Sequence, residues 1–363
     1  MNVYVFSKNW DVIDLIDTYS SMIWTTRYYT SGDFELFLPA DKKTMDLLRA
    51  NRYLCREKDI IKTEYSTRYK NVMIIEKIEL TTAAEKGMYL VVSGRSLKSI
   101  LKRRIIWQQS NLAGTAEMGI RRLITENAVS PQDEERKIPE LVLSEPAGLT
   151  EEMTLQVTGD NLGDTIEKIC TTYGYGYDIE YDDGKLLFFL FTGTDRSFSQ
   201  TENPYVIFSS EFDNILESEY TEDYQNYKNV ALVAGEGEGI ERKTSVAIGG
   251  NGRAGGLERY EIYVDARDLS SNEGEYTEEE YRSMLASRGM ESMSGNAIVR
   301  SFSGEIETKM MYKINEDYFL GDIVQVQNEC GIQASPRVIE VIESEDESGY
   351  SVIPTFSTME VSK

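Results

Sequence analysis

The sequence predicts a mainly β protein with a small α+β insertion between two strand-rich parts. Three observations predict it. Short apolar or alternating runs bounded by turn residues fill residues 1 to about 100. Helical periodicity then takes over until about residue 200. From "PYVIFSS" (204–210) onward, strand signals return. The division read from this texture is 1–104, 105–204 and 205–363, with one helix, 277–289, set into the last unit.

The first unit holds "NVYVF", "DFELFLP", "NVMIIEKIEL" and "MYLVVSG". Their period of two puts alternate side chains on one face, and the chain's 23 tyrosines suit half-buried pleated surfaces. "SLKSILKRR" then reads as a short amphipathic helix with Leu97, Ile100 and Leu101 on one face. "GTAEMGIRRLITENAV" repeats the pattern with Ala116, Ile120, Leu123 and Ile124. Ser130 to Pro146 carries three prolines and many charges and reads as a loop. In "DNLGDTIEKICTTYGYG", Leu162, Ile166, Ile169, Cys170 and Tyr173 share a helix face, and Gly174 stands at the C-terminal cap. "DDG" turns the following strand into the next. After "NVALVAG", "TSVAIGG" and "RYEIYVDA", the segment "TEEEYRSMLASRG" opens with a Thr277–Glu280 capping box and closes at Gly289. "AIVRSFSGEIE", "YKINEDYFLGDIVQVQN" and "RVIEVIESEDESGYSVIPTF" complete the β pattern.

Composition excludes several kinds of chemistry. The 363 residues contain no histidine, which removes Ser-His-Asp and Cys-His nucleophiles, HExxH metal sites and histidine bases. Cys55, Cys170 and Cys330 are far apart, odd in number and without a CxxC, so they read as small buried apolar residues. No run of about 18 apolar residues is present. The N-terminal "MNVYVFSKNWDVIDLID" carries Lys8 and Asp11 where a signal peptide would be apolar; it reads as a first strand of a protein made in a cytoplasm. "SLKS" (Ser96–Ser99) is shorter than the SxxK of Ser-Lys enzymes and is taken as chance.

Two motifs invite a ligand and decline it on inspection. In "NVALVAGEGEGIERKTSVAIGG", Gly235, Gly237 and Gly239 suggest a dinucleotide loop, but the third glycine comes one residue early, with Ile240 in its place. Glu236 and Glu238 would face a pyrophosphate, and the residues that follow are strand-like. The run reads as an acidic hairpin loop. In "DIEYDDG", Asp178, Glu180 and Asp182 resemble the start of an EF-hand, yet Asp183 occupies the glycine position and Phe189 that of the bidentate glutamate. No catalytic, cofactor or metal residue is assigned. A carboxylate pair for sugar chemistry stays open among 62 acidic residues, because position and separation decide it.

Net charge is −24, which disfavours binding to a nucleic-acid backbone and would repel a passing polyanion. Against that average, Lys98, Lys102, Arg103 and Arg104 form a basic cluster. Such a cluster meets a polyanion or, more commonly, acidic surface on a neighbouring subunit.

Three stretches, in order, resemble the tail hub (tail-associated or baseplate hub) proteins of long-tailed phages. They are "YTSGDFELFLPAD"; "YLVVSGRSLKSILKRRIIW" with "GIRRLITENAV"; and "EDYFLGDIVQVQ" with "PRVIEVIESEDESGYSVIPTF". The likeness spans about residues 1 to 357; one departure is Ser357, where the family commonly has glycine. The resemblance implies two β-barrel-like hub domains and a homotrimer whose six barrels ring a channel in the virion tail. It also implies tube proteins above, tip, spike or receptor-binding proteins below, and DNA passing through without specific binding. The chain resembles the hub core without a C-terminal extension, so a wall-degrading activity is expected on another protein. The alternative is a carboxylate-based cell-wall carbohydrate-active enzyme or binding module of the same particle.

Overall fold

Alternation becomes burial in the strand Asp33–Pro39, where Phe34, Leu36 and Leu38 are buried and Glu35 faces solvent. The computed structural model describes residues 1–83, 87–214, 217–250, 254–271, 276–305, 311–327 and 333–358. Cys330 lies outside these; Cys55 and Cys170 are buried free thiols.

One sheet of 11 strands dominates. Its spatial order is Glu217–Asp223, Val299–Glu305, Gly349–Thr358, Pro336–Asp346, Ser21–Arg27, Asp33–Pro39, Gly87–Ser96, Met73–Ala83, Tyr53–Arg56, Val3–Phe6 and Val12–Ile16. Strands from both ends of the chain therefore share one sheet. The junction is the antiparallel pair of Ser21–Arg27 with Pro336–Asp346, in which Trp24 stands opposite Glu343. Among the described residues the two edge strands do not pair with each other, so the expected closure into barrels is not found. The mainly β class with an α+β insertion stands.

A five-stranded sheet combines Ile60–Lys62 and Thr67–Tyr69 with Gly176–Asp182, Lys185–Phe191 and Leu141–Leu143. The last of these corrects the reading of Ser130–Pro146 as loop throughout: Leu141 is buried, and its strand runs parallel to Lys185–Phe191. Asp183 and Gly184 at the "DDG" turn both have positive φ, 44° and 80°, as a two-residue turn with the twist of its strands requires. A third sheet, Thr244–Ile248, Val230–Ala234 and Glu261–Asp265, packs one face on a helix described below.

Four α-helices are described: α1 Lys42–Leu47, α2 Ala116–Ile124, α3 Leu162–Tyr173 and α4 Glu278–Ser294. The α1 helix escapes sequence reading because six residues cannot display a helical period; its start is set by an Asp41–Thr44 capping box. The α2 and α3 helices bury the faces read from their periodicity, and Gly174 caps α3 at φ 73°. Leu97–Arg103 is a 3-10 segment instead of an amphipathic α-helix, with Leu97 through Leu101 all buried.

The α4 helix begins at the expected Thr277 capping box but does not stop at Gly289. A Cβ on Gly289 would lie 2.7 Å from Ala247 Cβ and 2.8 Å from Val233 Cγ2. The glycine permits close packing of helix on sheet, which a cap reading overlooks. Gly289→Leu is expected to destabilise by about 1–3 kcal/mol through overpacking, measured as a lower urea midpoint.

The insertion is fastened to the large sheet by Trp10. This residue sits in the turn between Val3–Phe6 and Val12–Ile16 at φ 68°. Its ring stacks between Tyr53, with centroids 4.2 Å apart, and Tyr181 at 3.6 Å. A left-handed backbone costs a non-glycine residue about 1–2 kcal/mol, which the two stacked faces offset. Within the large sheet, an ionic cluster ties the early strand Tyr53–Arg56 to the late strand Pro336–Asp346. Arg56, 1% exposed, donates from Nε to Asp59 at 2.5 Å and from Nη1 to Glu343 at 2.9 Å. Glu343 also receives Lys58 and the Tyr350 hydroxyl, and Asn71 donates to Asp59 at 2.7 Å.

Candidate functional site

The glycine loop is a hairpin between Val230–Ala234 and Thr244–Ile248, in register from Ala234 opposite Thr244. The amides of Gly235 and Glu236 are engaged at home. Gly235 N donates to the Lys243 carbonyl at 2.9 Å, and Glu236 N to the Tyr281 hydroxyl at 2.9 Å. The Glu236 carboxylate accepts from Ser271 N and Oγ at 3.0 and 2.5 Å and pairs with Lys243 at 2.9 Å. These hydrogen bonds, Ser271 foremost, hold its acidity near pKa 2. A fixed carboxylate at this place repels a phosphate.

Asp178, Glu180 and Asp182 lie at alternate positions of the strand Gly176–Asp182, as the strand reading expects. Among the described residues no group of three or more His, Cys, Asp or Glu is placed to hold a metal ion. Glu180 is buried, and its Oε2 has no hydrogen-bond partner. Arg68 is 3.6 Å away and Lys70 3.9 Å. Burial, with Asp178 adding to it, raises this carboxyl from 4.5 to about 7. The native state therefore binds this proton more tightly than the unfolded chain. The resulting stability is complete below pH 4.5 and is lost as pH rises through about 7. Wild type minus Glu180→Gln should show a stability difference that changes by on the order of 2 kcal/mol across that window, read from urea unfolding at stepped pH. A pH-independent difference would contradict it.

The basic cluster read in sequence divides in the structure. Lys98 is buried and donates to the carbonyls of Arg27, Tyr28 and Thr30 at 2.6, 3.3 and 3.1 Å, with its Nζ 4.6 Å from the Tyr177 ring centre. Lys102 pairs with Asp164 at 2.9 Å and Glu167 at 2.8 Å. These two lysines answer groups of their own chain, so they are unavailable to a neighbour or a polyanion. Only Arg103 and Arg104 keep the outward role.

A cleft of about 720 Å³ separates α3 from α4. Asp160, Asp164, Glu167, Lys168, Arg288 and Glu291 line it. Two of its four acids are closely paired: Glu167 with Lys102 and the Ser31 amide, Asp164 with Lys102. Glu291 differs. Burial raises its pKa against the pull of Arg288 and Lys168, which stand 3.8 and 3.9 Å away. Sequence reading missed this cleft because it joins residues about 120 positions apart; its local traces were the helical spacings Asp164–Lys168 and Arg288–Glu291.

No helix among the described residues is long and apolar enough to cross a membrane. No curated protein matches the sequence. Three solved structures share the architecture along nearly their whole length. The 43 kDa tail protein of prophage MuSo2 from Shewanella oneidensis is 11% identical, with a TM-score of 0.59 over 98% of each chain. The tail protein from Neisseria meningitidis MC58 is 14% identical, with a TM-score of 0.55 over 99% of this chain and 97% of that one. Prophage tail protein gp18 from Listeria monocytogenes EGD-e is 10% identical, with a TM-score of 0.55 over 100% and 96%. At these identities the likeness is one of fold. At the level of sequence, residues 2–357 match the family described as Siphovirus ReqiPepy6 Gp37-like protein. With a β-rich frame shared with phage tail proteins and a family match along almost its whole length, this chain belongs to the Siphovirus ReqiPepy6 Gp37-like protein family.

Proposed function

We propose that the chain is a structural component of a phage tail tip or baseplate, or of a related contractile injection particle. Three copies form a hub ring that joins the tail tube to distal tip, spike or receptor-binding proteins and surrounds the channel for DNA or tape-measure protein. The observation that carries this reading is the likeness to three tail proteins, two of them from prophages, over 98–100% of this chain. A protein that shares only a local motif with a tail protein would not match from end to end. Units 1–104, 105–204 and 205–363 are the working division. The acidic balance of −24 supports the channel role, since a negative lumen lets DNA slide without sticking. Electron microscopy of the purified chain, alone and with its tube protein, tests the reading. Rings with a central hole and threefold symmetry are expected, and a chain that stays monomeric in both preparations would overturn it.

The cleft between α3 and α4 favours one second reading, a carboxylate-based carbohydrate-active enzyme or binding module of the same particle. Glu291 is the acid to test there, because burial holds it toward the protonated form that a general acid needs. If that reading holds, purified cell wall incubated with the chain releases reducing sugar, and Glu291→Gln abolishes the release. Under the structural reading none is released.

A further inference from the structure

Arg103, Arg104 and Arg136 meet at the corner where the first unit passes into the insertion, beside Trp107 and Ile105. Trp107 is 63% exposed and Ile105 43%. Backbone carbonyls hold two of the guanidinium groups in place. Arg104 Nε donates to the carbonyl of Arg136 at 2.6 Å, and its Nη1 to that of Arg103 at 3.0 Å. Arg136 Nη2 donates to the Ile105 carbonyl at 2.6 Å, and its guanidinium lies 4.9 Å from the Trp107 ring centre. Arg104 sits close enough to the other two that, after burial, their charges lower its basicity.

Three cations lie together at this corner of an acidic chain. It has 62 acidic residues against 38 basic ones, yet among the described residues none of the three is in an ion pair. Lys102, one position before Arg103, has two carboxylate partners. The corner is held by backbone hydrogen bonds, is cationic and has no ion pair among the described residues, and the Trp107 ring lies against Arg136.

We propose that this corner docks on an acidic surface of a second copy of the same chain. The inference rests on the reading that the protein assembles with copies of itself, and it names the contact. Charge complementarity selects the occupant. Copies carrying −24 each repel one another over most of their surface, so a stable contact needs a local patch of opposite sign. A patch that meets a different surface on the next copy gives a head-to-tail contact, which closes into a ring when the rotation from copy to copy is a whole fraction of a turn. Trp107 with flanking arginines has the composition of an interface anchor. A DNA duplex suits the corner less well: it needs cations spread along its backbone, and the field of the whole chain opposes its approach.

The test is sedimentation velocity of the full chain over a range of concentrations and at low and high salt. Acrylamide quenching of tryptophan accompanies it, because Trp24 is buried and Trp107 is the most exposed of the three tryptophans. Arg103→Glu and Trp107→Ala are run beside the wild type. The expected result is self-association weakened by about tenfold or more in each variant and at high salt, with Trp107 shielded from acrylamide in the assembled protein. Arg103→Glu keeps the test valid if Trp107→Ala misfolds, since the Arg103 side chain is exposed. Assembly that is unchanged in both variants, with Trp107 still quenched, overturns the proposal and leaves self-assembly standing. A chain that stays monomeric throughout, alone and with its tube protein present, overturns both. Binding of a short DNA duplex that Arg103→Glu abolishes also overturns it, replacing the second copy by a polyanion.

Discussion

Arg56→Met is expected to destabilise the protein by about 3–5 kcal/mol, the cost of breaking a buried ion cluster from one side. The methionine keeps most of the side-chain volume but leaves Asp59 and Glu343 together without their shared cation. Asn71 still donates to Asp59 and Lys58 still reaches Glu343, so the two carboxylates are partly answered and the fold is expected to survive. The loss is felt between strands distant in sequence, because Arg56 ends Tyr53–Arg56 while Glu343 belongs to Pro336–Asp346. The Arg56 guanidinium also lies 4.9 Å from the centre of the buried Trp24 ring, opposite Glu343 across the sheet junction. Urea unfolding followed by circular dichroism measures the effect. A companion variant, Arg56→Met with Asp59→Leu and Glu343→Leu, separates charge from packing. It should regain most of the loss, because an apolar set of similar volume carries no stranded charge. A single variant within about 1 kcal/mol of wild type would show that the cluster adds little.

Lys98→Met is the second large effect, expected at about 3–5 kcal/mol. Lys98 is 3% exposed and is held by three backbone carbonyls without a carboxylate in contact. Methionine fills the space of the stem and leaves the carbonyls of Arg27, Tyr28 and Thr30 without their donor. Each unanswered buried acceptor costs about 1–3 kcal/mol. The contrast lies five positions away: Arg103→Glu, at an exposed residue, should change stability by no more than about 0.5 kcal/mol. Thermal and urea unfolding of the two variants side by side provide the check. Equal effects would mean that Lys98 is not doing what its contacts imply.

This pair of residues shows where reading the sequence stops. "SLKSILKRR" presents four cations that look alike on paper. Lys98 is buried because residues 27–30 fold over it and Tyr177 of a later strand lies against it. None of those neighbours is encoded in the nine-residue stretch. The Trp107 corner has the same origin, since Arg136 reaches it from a segment read as loop. Gly289 gives a third instance. A glycine after a helical pattern is read as a cap, and only the approach of Val233 and Ala247 shows that it is a packing site.

What the sequence by itself determined were features whose causes lie within a few residues. The faces of α2 and α3, the Gly174 cap, the Thr277–Glu280 capping box and the left-handed "DDG" turn each follow from local backbone preference and periodicity. The unsuitability of the glycine run for a cofactor was legible in the same way, because Glu236 and Glu238 are part of the motif. Only the tertiary structure decided that strands from both chain ends share one sheet, because that register pairs Trp24 with Glu343 across more than 300 residues. It alone decided which cations are buried, paired or left free. Those outcomes depend on which surfaces come together, and contacts between distant segments leave no periodic trace in either one.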